Sequence, residues 1–363
     1  MTICLLCTEI FAWGKYGGFG RSTRLLGREL ARRGVRVSAV VPRRDGQRPV
    51  EELDGITVLS FPMHRPWDVA TLARQCDAEL YHSQHTSYGS YLTMRAMPDR
   101  KHVLTFRDPK TLQDWLLELR APTLNTVRSL VVWQYETRGV RQAVRRADAV
   151  TVCAEHLTEK VRRLYGALPG LRFLPSPIAI PQRPMQKDAT PTVCFVARWD
   201  RRKQPERFFE TARRRPDVRF IAVGASADRR WDAELRRRYS GLPNVELPGF
   251  LDQFTSDALS RVLERSWVLM NTASREGLPT AFLEALAHRC AILSAVNPDG
   301  FAERFGSYVQ DGDFARGLDR LLEDDRWSRK AEQGYAYVSA QYELTAAVDR
   351  HLALYRELLG HSS

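Results

Sequence analysis

Long hydrophobic runs are absent from this sequence. Its longest apolar stretches, such as residues 3–7 and 130–133, are far shorter than the roughly 20 residues that a transmembrane helix needs. The opening residues, MTICLLCTEIFAWGK, also lack the basic leader and the small-residue cleavage site of a signal peptide, and their apolar part is typical of a first strand. We therefore expect a cytoplasmic protein.

Cysteine is scarce and scattered. The chain has 6 cysteines in 363 residues, at positions 4, 7, 76, 153, 194 and 290. Cys4 and Cys7 form a C-x-x-C, but in a strand two residues at this spacing point to opposite faces. This favours core packing over a metal or redox site, in a reducing compartment.

Charge is plentiful but unevenly divided. The formal net charge is +12. Residues 1–180 carry 27 Lys and Arg against 17 Asp and Glu, whereas the remainder carries 28 against 26. A basic first half predicts an anionic partner, such as a membrane surface, a polyphosphate or a charged glycan, with an unspecific arginine-rich composition as the alternative. We expect no nucleic acid, because the basic residues are not interleaved with an aromatic platform.

Short β-branched runs alternate with helical patterns along the chain. They predict strands at residues 3–9, 36–42, 56–61, 79–84, 102–106, 149–153, 192–197, 219–223, 245–247, 267–271 and 291–296. Helical patterns separate them, and the chain from residue 327 to residue 359 reads as helix. Such alternation favours parallel sheets covered on both faces, so the fold class predicted is α/β with two Rossmann-like, doubly wound domains.

The domain boundary is predicted from proline. Five prolines lie between residues 174 and 192, where they exclude regular strand pairing. We expect an N-terminal, acceptor-binding domain over residues 1–178, a proline-rich linker over 179–191 and a donor-binding domain over 192–340. A helix over 341–363 is expected to pack back toward the N-terminal domain. Ligands of such folds bind at the carboxyl ends of the strands, here predicted to face a cleft.

The loop after the first strand, WGKYGGFGRSTRLL, brings several glycines to the start of a helix. The backbone amides of Gly17, Gly18 and Gly20 can approach an anion there. Residues 18–23 also approach a dinucleotide fingerprint, with Asp45 as the candidate ribose ligand. Thr23 stands where the third glycine belongs, so a nicotinamide oxidoreductase is the weaker interpretation.

The loop CFVARWDRRKQPERFF, residues 194–209, follows the first strand of the second half. Arg198 and Lys203 lie at the strand end and at the start of the next helix, where cations can pair with a diphosphate. By themselves, Arg201, Arg202 and Lys203 are typical of a solvated charge run, and it is the position at the carboxyl edge of a parallel strand that favours a binding role.

The stretch SREGLPTAFLEALA, residues 274–287, also follows a strand. Pro279 favours a helix start there, preceded by the amides of Gly277 and Leu278. Helical spacing then separates an apolar face from a polar one: Phe282, Leu283 and Leu286 lie on the first, and Thr280, Glu284 and His288 on the second. A solvated face with a Glu284–His288 pair is the alternative to a binding role, and Glu276 could be a simple partner of the helix dipole.

These three loops together resemble the retaining, nucleotide-sugar-dependent glycosyltransferases of family 4, also called group 1. Glu276 and Glu284 reproduce the family's two glutamates separated by seven residues, and Arg198 and Lys203 reproduce its arginine and its lysine five residues on. Residues 247–252, LPGFLD, and 17–21, GGFGR, agree more loosely. The resemblance extends over essentially the whole chain and is strongest over residues 194–313. It implies the GT-B fold, with two Rossmann-like domains facing across a cleft.

The resemblance implies a role for each matching residue. Arg198 and Lys203 would neutralise the donor diphosphate, Glu276 would contact the donor sugar, and Glu284 would bind the ribose hydroxyls. The catalytic residues are then Glu276, Arg198 and Lys203. The wider donor-binding set adds Gly277, Leu278, Thr280, Glu284, Gly17, Gly18, Phe250 and Leu251. The co-substrate implied is a UDP- or GDP-linked sugar, with no cofactor and no metal.

Two positions depart from the family pattern. Arg107 stands in VLTFRDP where relatives often have a histidine, and Arg107 and Lys15 are candidate ligands of an acceptor group or a phosphate. Residues 289–291 replace the usual G-x-P, which is expected to leave the backbone there less constrained.

The function expected is therefore a retaining hexosyltransferase that acts on a glycan, lipid-linked or small-molecule acceptor. The alternatives on the same fold are a nucleotide-sugar epimerase, a sugar phosphorylase or a non-catalytic sugar-nucleotide binding protein. The basic first half is expected to contact anionic lipid at the inner face of the membrane, or a charged glycan.

Overall fold

The computed structural model describes residues 1–14, 16–120 and 138–360, without the side chains of residues 117–120. The chain divides into two compact units. Unit 1 comprises Met1–Pro177 together with Leu344–Ser363, and unit 2 comprises Ile178–Glu343. None of the helices in the described part is long and apolar enough to cross a bilayer.

Unit 1 is built on a sheet with eight strands in the described residues. They are β1 (Thr2–Leu6), β2 (Arg36–Pro42), β3 (Val50–Leu53), β4 (Ile56–Phe61), β5 (Leu80–Ser83), β6 (Lys101–Phe106), β7 (Ala149–Val152) and β8 (Arg172–Phe173). Their order is β3-β4-β2-β1-β5-β6-β7-β8, and all pairs are parallel except β3 with β4. The sheet is therefore of the doubly wound type, with one antiparallel edge strand.

Helices cover both faces of this sheet. In chain order they are α1 (Gly18–Arg32), α2 (Val69–Cys76), α3 (Tyr88–Ala96), α4 (Leu112–Arg120) and α5 (Leu157–Tyr165), and residues 138–146 are also helical. Cys4 packs into the cluster on one face, with Val40 and Tyr81, and Cys7 into the cluster on the other, with Leu26 and Leu30. The prediction that the two thiols point to opposite faces is confirmed, and all six cysteines are unbridged.

Unit 2 repeats this architecture with a sheet of six strands in its described residues. They are β9 (Thr192–Val196), β10 (Arg219–Val223), β11 (Val245–Gly249), β12 (Val268–Asn271), β13 (Ala291–Ser294) and β14 (Gly306–Tyr308), ordered β11-β10-β9-β12-β13-β14. Every pair is parallel. The helices are α6 (Pro205–Arg214), α7 (Arg229–Tyr239), α8 (Ala258–Arg265), α9 (Thr280–Ala287), α10 (Phe301–Phe305), α11 (Phe314–Leu322) and α12 (Arg326–Tyr342).

The last helix, α13 (Leu344–Leu359), belongs to unit 1. It packs on α1, and Arg33 and Arg172 form ion pairs with its residues Asp349 and Glu357. The helical stretch predicted from residue 327 onward is thus two helices, α12 and α13, which Glu343 separates.

The proline-rich segment is anchored to unit 2. Nζ of Lys187 contacts the carbonyl oxygens of Leu263, Ser266 and His288, the last at 2.8 Å. Asp188 forms ion pairs with Arg265 and Arg219, both at 3.2 Å. The residues predicted as a linker thus have contacts with unit 2, which begins at Ile178.

One glycine allows a close contact between loops at the carboxyl edge of the unit 2 sheet. Gly224, directly after β10, has a φ of +133°, and a Cβ placed on it would lie 1.9 Å from the carbonyl oxygen of Ala197. Its amide donates to the carbonyl oxygen of Gly249 at 2.8 Å. The loop after β9 can approach the end of β10 this closely only because residue 224 has no side chain.

We predict that Gly224→Ala lowers the free energy of unfolding by about 2–4 kcal/mol, because the methyl group collides with backbone and the φ is unfavourable for alanine. Urea unfolding followed by circular dichroism measures the change. Gly241→Ala is the matched control, since a Cβ there has no heavy atom within 4 Å. Equal midpoints for the two variants would contradict the prediction.

Candidate functional site

The predicted donor-binding residues of unit 2 lie at one edge of its sheet. Because the strands are parallel, the loops after β9, β11 and β12 all leave the carboxyl edge. Arg198 and Lys203 lie in the first of these loops, Phe250 and Leu251 in the second, and Glu276, Gly277 and Leu278 in the third.

An ion pair joins two of these loops directly. Nζ of Lys203 contacts Oε1 of Glu276, and the two side chains are 20% and 13% exposed. Nδ2 of Asn271 donates to the same carboxylate oxygen at 3.4 Å. Since an ammonium group has three N–H donors, Lys203 can bind Glu276 and a second anion at the same time.

Backbone hydrogen bonds fix the same two loops. The hydroxyl group of Thr272 lies 2.6 Å from the carbonyl oxygen of Lys203 and 2.9 Å from that of Gln204. The amide of Ser274 donates to the carbonyl oxygen of Arg202 at 3.0 Å. The position of Lys203 is thus set by its main chain as well as by Glu276.

Arg198 is more exposed than Lys203. Its side chain is 49% exposed, and it lies 3.8 Å from the carboxylate of Asp200. Trp199 beside it is fully buried, and its amide donates to the carbonyl oxygen of Ala225 at 3.0 Å. The backbone at Arg198 is therefore anchored while its guanidinium group extends toward solvent. Arg201, expected in a solvated run, stacks over the ring of Trp231 at 4.3 Å.

Helix α9 begins at Thr280. Pro279 is the residue before the helix, and its backbone is extended. Gly277, Leu278 and Thr280 are half-buried around this start. The side chain of the N-cap residue, Pro279, makes no hydrogen bond to the first amides of the helix. These amides and the helix dipole can stabilise a negative charge at this point.

Glu284 lies one turn beyond Thr280 in α9. Glu284 is only 6% exposed, and His288 is only 7% exposed. The alternative of a solvated Glu284–His288 face is therefore wrong. Nδ1 of His288 donates to the carbonyl oxygen of Glu284 at 2.7 Å, and its Nε2 accepts from the hydroxyl group of Ser260 at 2.8 Å. The partner of the histidine is the backbone of Glu284, not its carboxylate.

The altered segment after α9 has its own constraint. Arg289 has a φ of +53°, a conformation that favours glycine. Its guanidinium group pairs with Glu332 at 2.7 Å and stacks over the ring of Tyr335 at 3.8 Å. These contacts hold the side chain of Arg289, and the expectation of a less constrained backbone stays a prediction.

Phe250 and Leu251 follow a glycine at the end of β11. Gly249 has a φ of +80°, which turns the chain sharply at the edge of the sheet. Phe250 is 42% exposed, an unusual position for a large apolar ring. An exposed ring at the carboxyl edge can stack on a planar ligand group, and the predicted contact of Phe250 with the donor stays a prediction.

In unit 1, the glycine loop lies at the carboxyl end of β1. Gly17 precedes α1, and Gly18 and Gly20 are in its first turn. Oε1 of Glu9 accepts a hydrogen bond from the amide of Gly20 at 3.1 Å. The predicted contact of Gly17 and Gly18 with donor phosphate stays a prediction, and Lys15 lies outside the described residues.

Arg107 follows β6 in unit 1 and is buried, with 4% of its surface exposed. Its Nε donates to the carbonyl oxygen of Gln84 at 2.5 Å, its Nη2 to Oε1 of Gln84 at 2.7 Å and its Nη1 to the hydroxyl group of Ser176 at 2.8 Å. Burial lowers the pKa of Arg107. The arginine therefore ties the loops after β5 and β6 to residue 176, and its contact with an acceptor or a phosphate stays a prediction.

The sequence patterns missed three residues of these sites. Asn271 was predicted as the last residue of a strand without a role, and Thr272, directly after it, was given no role. Glu9 was placed inside the first strand, although β1 ends at Leu6. All three are polar residues at the carboxyl end of a parallel strand, and that position was the signal available. In the part of the chain that is described, no group of His, Cys, Asp and Glu side chains could hold a metal ion.

Two family models match the chain. The model described as Glycosyltransferase Family 4 matches residues 16–178, and the model described as Glycosyl transferases group 1 matches residues 190–324. No curated protein sequence matches significantly.

Several solved structures are similar over nearly their full lengths. Sucrose-phosphate synthase from Thermosynechococcus elongatus is 18% identical, with a TM-score of 0.77, and the match covers 99% of this chain and 100% of that one. HepE from Anabaena, in complex with UDP-glucose, is 14% identical, with a TM-score of 0.71 and coverages of 98% and 100%. WaaG, a glycosyltransferase involved in lipopolysaccharide biosynthesis, is 15% identical, with a TM-score of 0.69 and coverages of 97% and 99%. These similarities confirm the predicted GT-B fold.

The buried ring of His288 predicts a pH dependence of stability. Burial lowers its pKa to about 4, below the ordinary histidine value of about 6.5. As the pH falls from 6.5 to 4, His288 takes up a proton in the unfolded chain before it does so in the folded protein. The stabilisation present above pH 6.5 is therefore lost over this window, and the free energy of unfolding falls by up to about 3 kcal/mol. Urea unfolding at a series of pH values should show a shallower acid loss for His288→Gln. His64→Gln, at an exposed position, is the control and should show the same loss of stability with falling pH as the wild type. The same loss in His288→Gln would contradict the prediction.

Proposed function

Because this chain belongs to the family 4, or group 1, glycosyltransferases, we propose that it is a retaining enzyme that uses a nucleotide-diphosphate sugar. The Lys203–Glu276 pair at the carboxyl edge of unit 2 is the observation that carries the proposal. This pair brings together a cation, which we propose binds the diphosphate, and a carboxylate, which we propose binds the sugar. UDP-glucose is the first donor to test, since the structurally similar HepE was solved with it.

The cations of this edge would act on the leaving group. The bond between the anomeric carbon and the diphosphate oxygen breaks, and negative charge grows on that oxygen. Lys203 and Arg198 stabilise this charge electrostatically, together with the start of α9. The loops that hold Lys203 are already fixed by hydrogen bonds from Thr272 and Ser274, so little reorganisation is needed during the reaction.

The carboxylates would orient the donor. Glu276, held by Lys203 and Asn271, accepts hydrogen bonds from sugar hydroxyls, and Glu284 accepts them from the ribose. The acceptor hydroxyl oxygen attacks from the face that the diphosphate leaves, and its proton passes to the departing phosphate oxygen. The new glycosidic bond then keeps the anomeric configuration of the donor, without a cofactor or a metal in this scheme.

We predict that Lys203→Ala and Glu284→Ala each weaken UDP-glucose binding about 10- to 100-fold, since a hydrogen bond to a charged group contributes about 1.5–3 kcal/mol. Isothermal titration calorimetry measures the affinity, and release of nucleoside diphosphate in the presence of an acceptor panel measures turnover. Arg201→Ala is the control in the same loop, because its guanidinium group stacks on Trp231.

Wild-type affinity and turnover in both Lys203→Ala and Glu284→Ala would contradict the proposed site. Conversion of the donor sugar without acceptor would point instead to an epimerase, and donor binding without turnover to a non-catalytic protein. Screening other UDP- and GDP-linked sugars by thermal shift extends the test to the base and the sugar, because a bound donor raises the melting temperature.

The acceptor is proposed to lie near an anionic surface, through a basic and apolar patch on unit 1. After β4, Met63 and Trp67 are 48% and 59% exposed, and His64 and Arg65 between them are exposed as well. Nη1 of Arg44, from the loop after the neighbouring strand β2, lies 3.5 Å from the sulfur of Met63. Aromatic and basic side chains together favour the head-group region of an anionic membrane.

We predict that the protein co-sediments with phosphatidylglycerol vesicles at low salt, and less with phosphatidylcholine vesicles or at high salt. Trp67→Ser should reduce this binding several-fold. Leu112→Ser is the control, since Leu112 is 71% exposed at the start of α4, which follows β6, and β6 lies four positions from β4 in the sheet. Equal binding to both kinds of vesicle at low salt would remove the membrane proposal without affecting the donor site.

A further inference from the structure

A lysine from the proline-rich segment lies where two helices of unit 2 end. Nζ of Lys187 contacts the carbonyl oxygen of Ser266, and it lies 3.3 Å from that of Leu263 and 2.8 Å from that of His288. Leu263 is in the last turn of α8 and Ser266 follows this helix, whereas His288 follows the last residue of α9. One ammonium group thus contacts the carboxyl-terminal ends of both helices.

The charge and the hydrogen-bond donors of Lys187 suit this place. The carboxyl-terminal end of a helix carries a partial negative charge, and its last carbonyl oxygens have no amide partner within the helix. An ammonium group has one positive charge and three N–H donors, and the carbonyl oxygens of three residues surround it here. Lys187 therefore stabilises the approach of two helix ends that would otherwise bring like partial charges together.

Neighbouring contacts fix the main chain that carries this lysine. The amide of Asp188 donates to the carbonyl oxygen of Arg265 at 3.0 Å, and Nε1 of Trp267 donates to the carbonyl oxygen of Asp188 at 2.8 Å. The carboxylate of Asp188 also pairs with the guanidinium group of Arg265 at 3.2 Å. Because Asp188 is held at the end of α8, the ammonium group next to it has a defined position relative to that helix.

The end of α9 is held through His288. The carbonyl oxygen of Glu284 accepts hydrogen bonds from the amide of His288 at 3.1 Å and from its Nδ1 at 2.7 Å. Nε2 of the same ring lies 2.8 Å from the hydroxyl group of Ser260 in α8, and Lys187 binds the carbonyl oxygen of His288. Since α9 has only 8 residues, these contacts at its end act directly on the turn that carries Glu284.

We propose that Lys187 is a positioning residue for donor binding: it holds the end of α9 against the end of α8 and so sets the position of the Glu284 carboxylate. The inference rests on the proposed function, in which Glu284 binds the ribose of the donor. Glu284 is only 6% exposed, so a small rotation of its helix would withdraw the carboxylate from a ligand. A misplacement of about 1 Å, caused by a change far from the reacting groups, can lower a rate by about 100-fold.

The test is a double-mutant cycle on UDP-glucose affinity, measured by isothermal titration calorimetry with the full chain. Lys187→Met keeps most of the length of the side chain but removes its charge and its donors. We expect it to weaken binding about 5- to 20-fold, and less than about 2-fold in a Glu284→Ala background, where the carboxylate that it positions is gone. Lys187→Gln keeps two N–H donors and goes through the same cycle in case Lys187→Met does not fold.

Lys330→Met is the matched control. Nζ of Lys330 contacts the carbonyl oxygens of Glu303 and Arg304 at 2.8 and 3.0 Å, at the end of α10, which carries none of the proposed binding residues. This variant loses the same kind of contact and should keep the wild-type affinity. Hydrogen exchange followed by mass spectrometry adds a local measurement: peptides that cover residues 280–290 should exchange faster in Lys187→Met than in the wild type or in Lys330→Met.

Wild-type affinity in Lys187→Met and Lys187→Gln would overturn the positioning role. An equal loss with and without Glu284, or the same loss in Lys330→Met, would overturn it as well, because Lys187 would then act through overall stability or another group. Failure of the proposed function gives a different result: the wild type does not bind UDP-glucose, or Glu284→Ala binds it as tightly as the wild type. Exchange at residues 280–290 still shows in that case whether Lys187 holds the end of α9.

Discussion

The ion pair between Lys203 and Glu276 is the contact on which the candidate site of unit 2 depends. It connects the loop after β9 with the loop after β12, two strands that are neighbours in the sheet. Both groups are largely shielded from water, so their attraction is stronger than that of an exposed pair, and removing either would leave a poorly solvated charge. The pair therefore fixes a cation and a carboxylate next to each other before any ligand is present.

Main-chain contacts make this arrangement possible. The missing side chain of Gly224 lets the loop after β9 approach the end of β10, and Thr272 binds the carbonyl oxygens of Lys203 and Gln204. Glu284 is fixed differently, because most residues of α9 are buried. At the end of this helix, the ring of His288 donates a hydrogen bond to the carbonyl oxygen of Glu284. A binding edge built in this way holds its charged groups by backbone geometry, which is the preorganisation that electrostatic catalysis requires.

Much of this fold could be predicted from the sequence, because buried parallel strands read as continuous β-branched runs. Strands β2, β4 and β10 have the predicted bounds. Strands β3, β8 and β14 were missed, since they are edge strands of two to four residues with polar or glycine-containing sequences and little apolar pattern. The spacing of Glu276 and Glu284 was visible in the sequence, but the contact of Glu276 with Lys203 was not, because it depends on which strands become neighbours.

At two positions that depart from the family pattern, the chain has an arginine whose side chain makes several contacts. Arg289 takes a conformation that favours glycine while its side chain contacts Glu332 and Tyr335, and Arg107 donates hydrogen bonds to Gln84 and Ser176. Both side chains thus connect segments of their own unit. In unit 1 the amide of Gly20 in the glycine loop is bound to the carboxylate of Glu9. In unit 2 the guanidinium group of Arg198 extends toward solvent from the same loop that holds Lys203. These two cations at the carboxyl edge of the unit 2 sheet are the groups on which the proposed binding of a donor diphosphate depends.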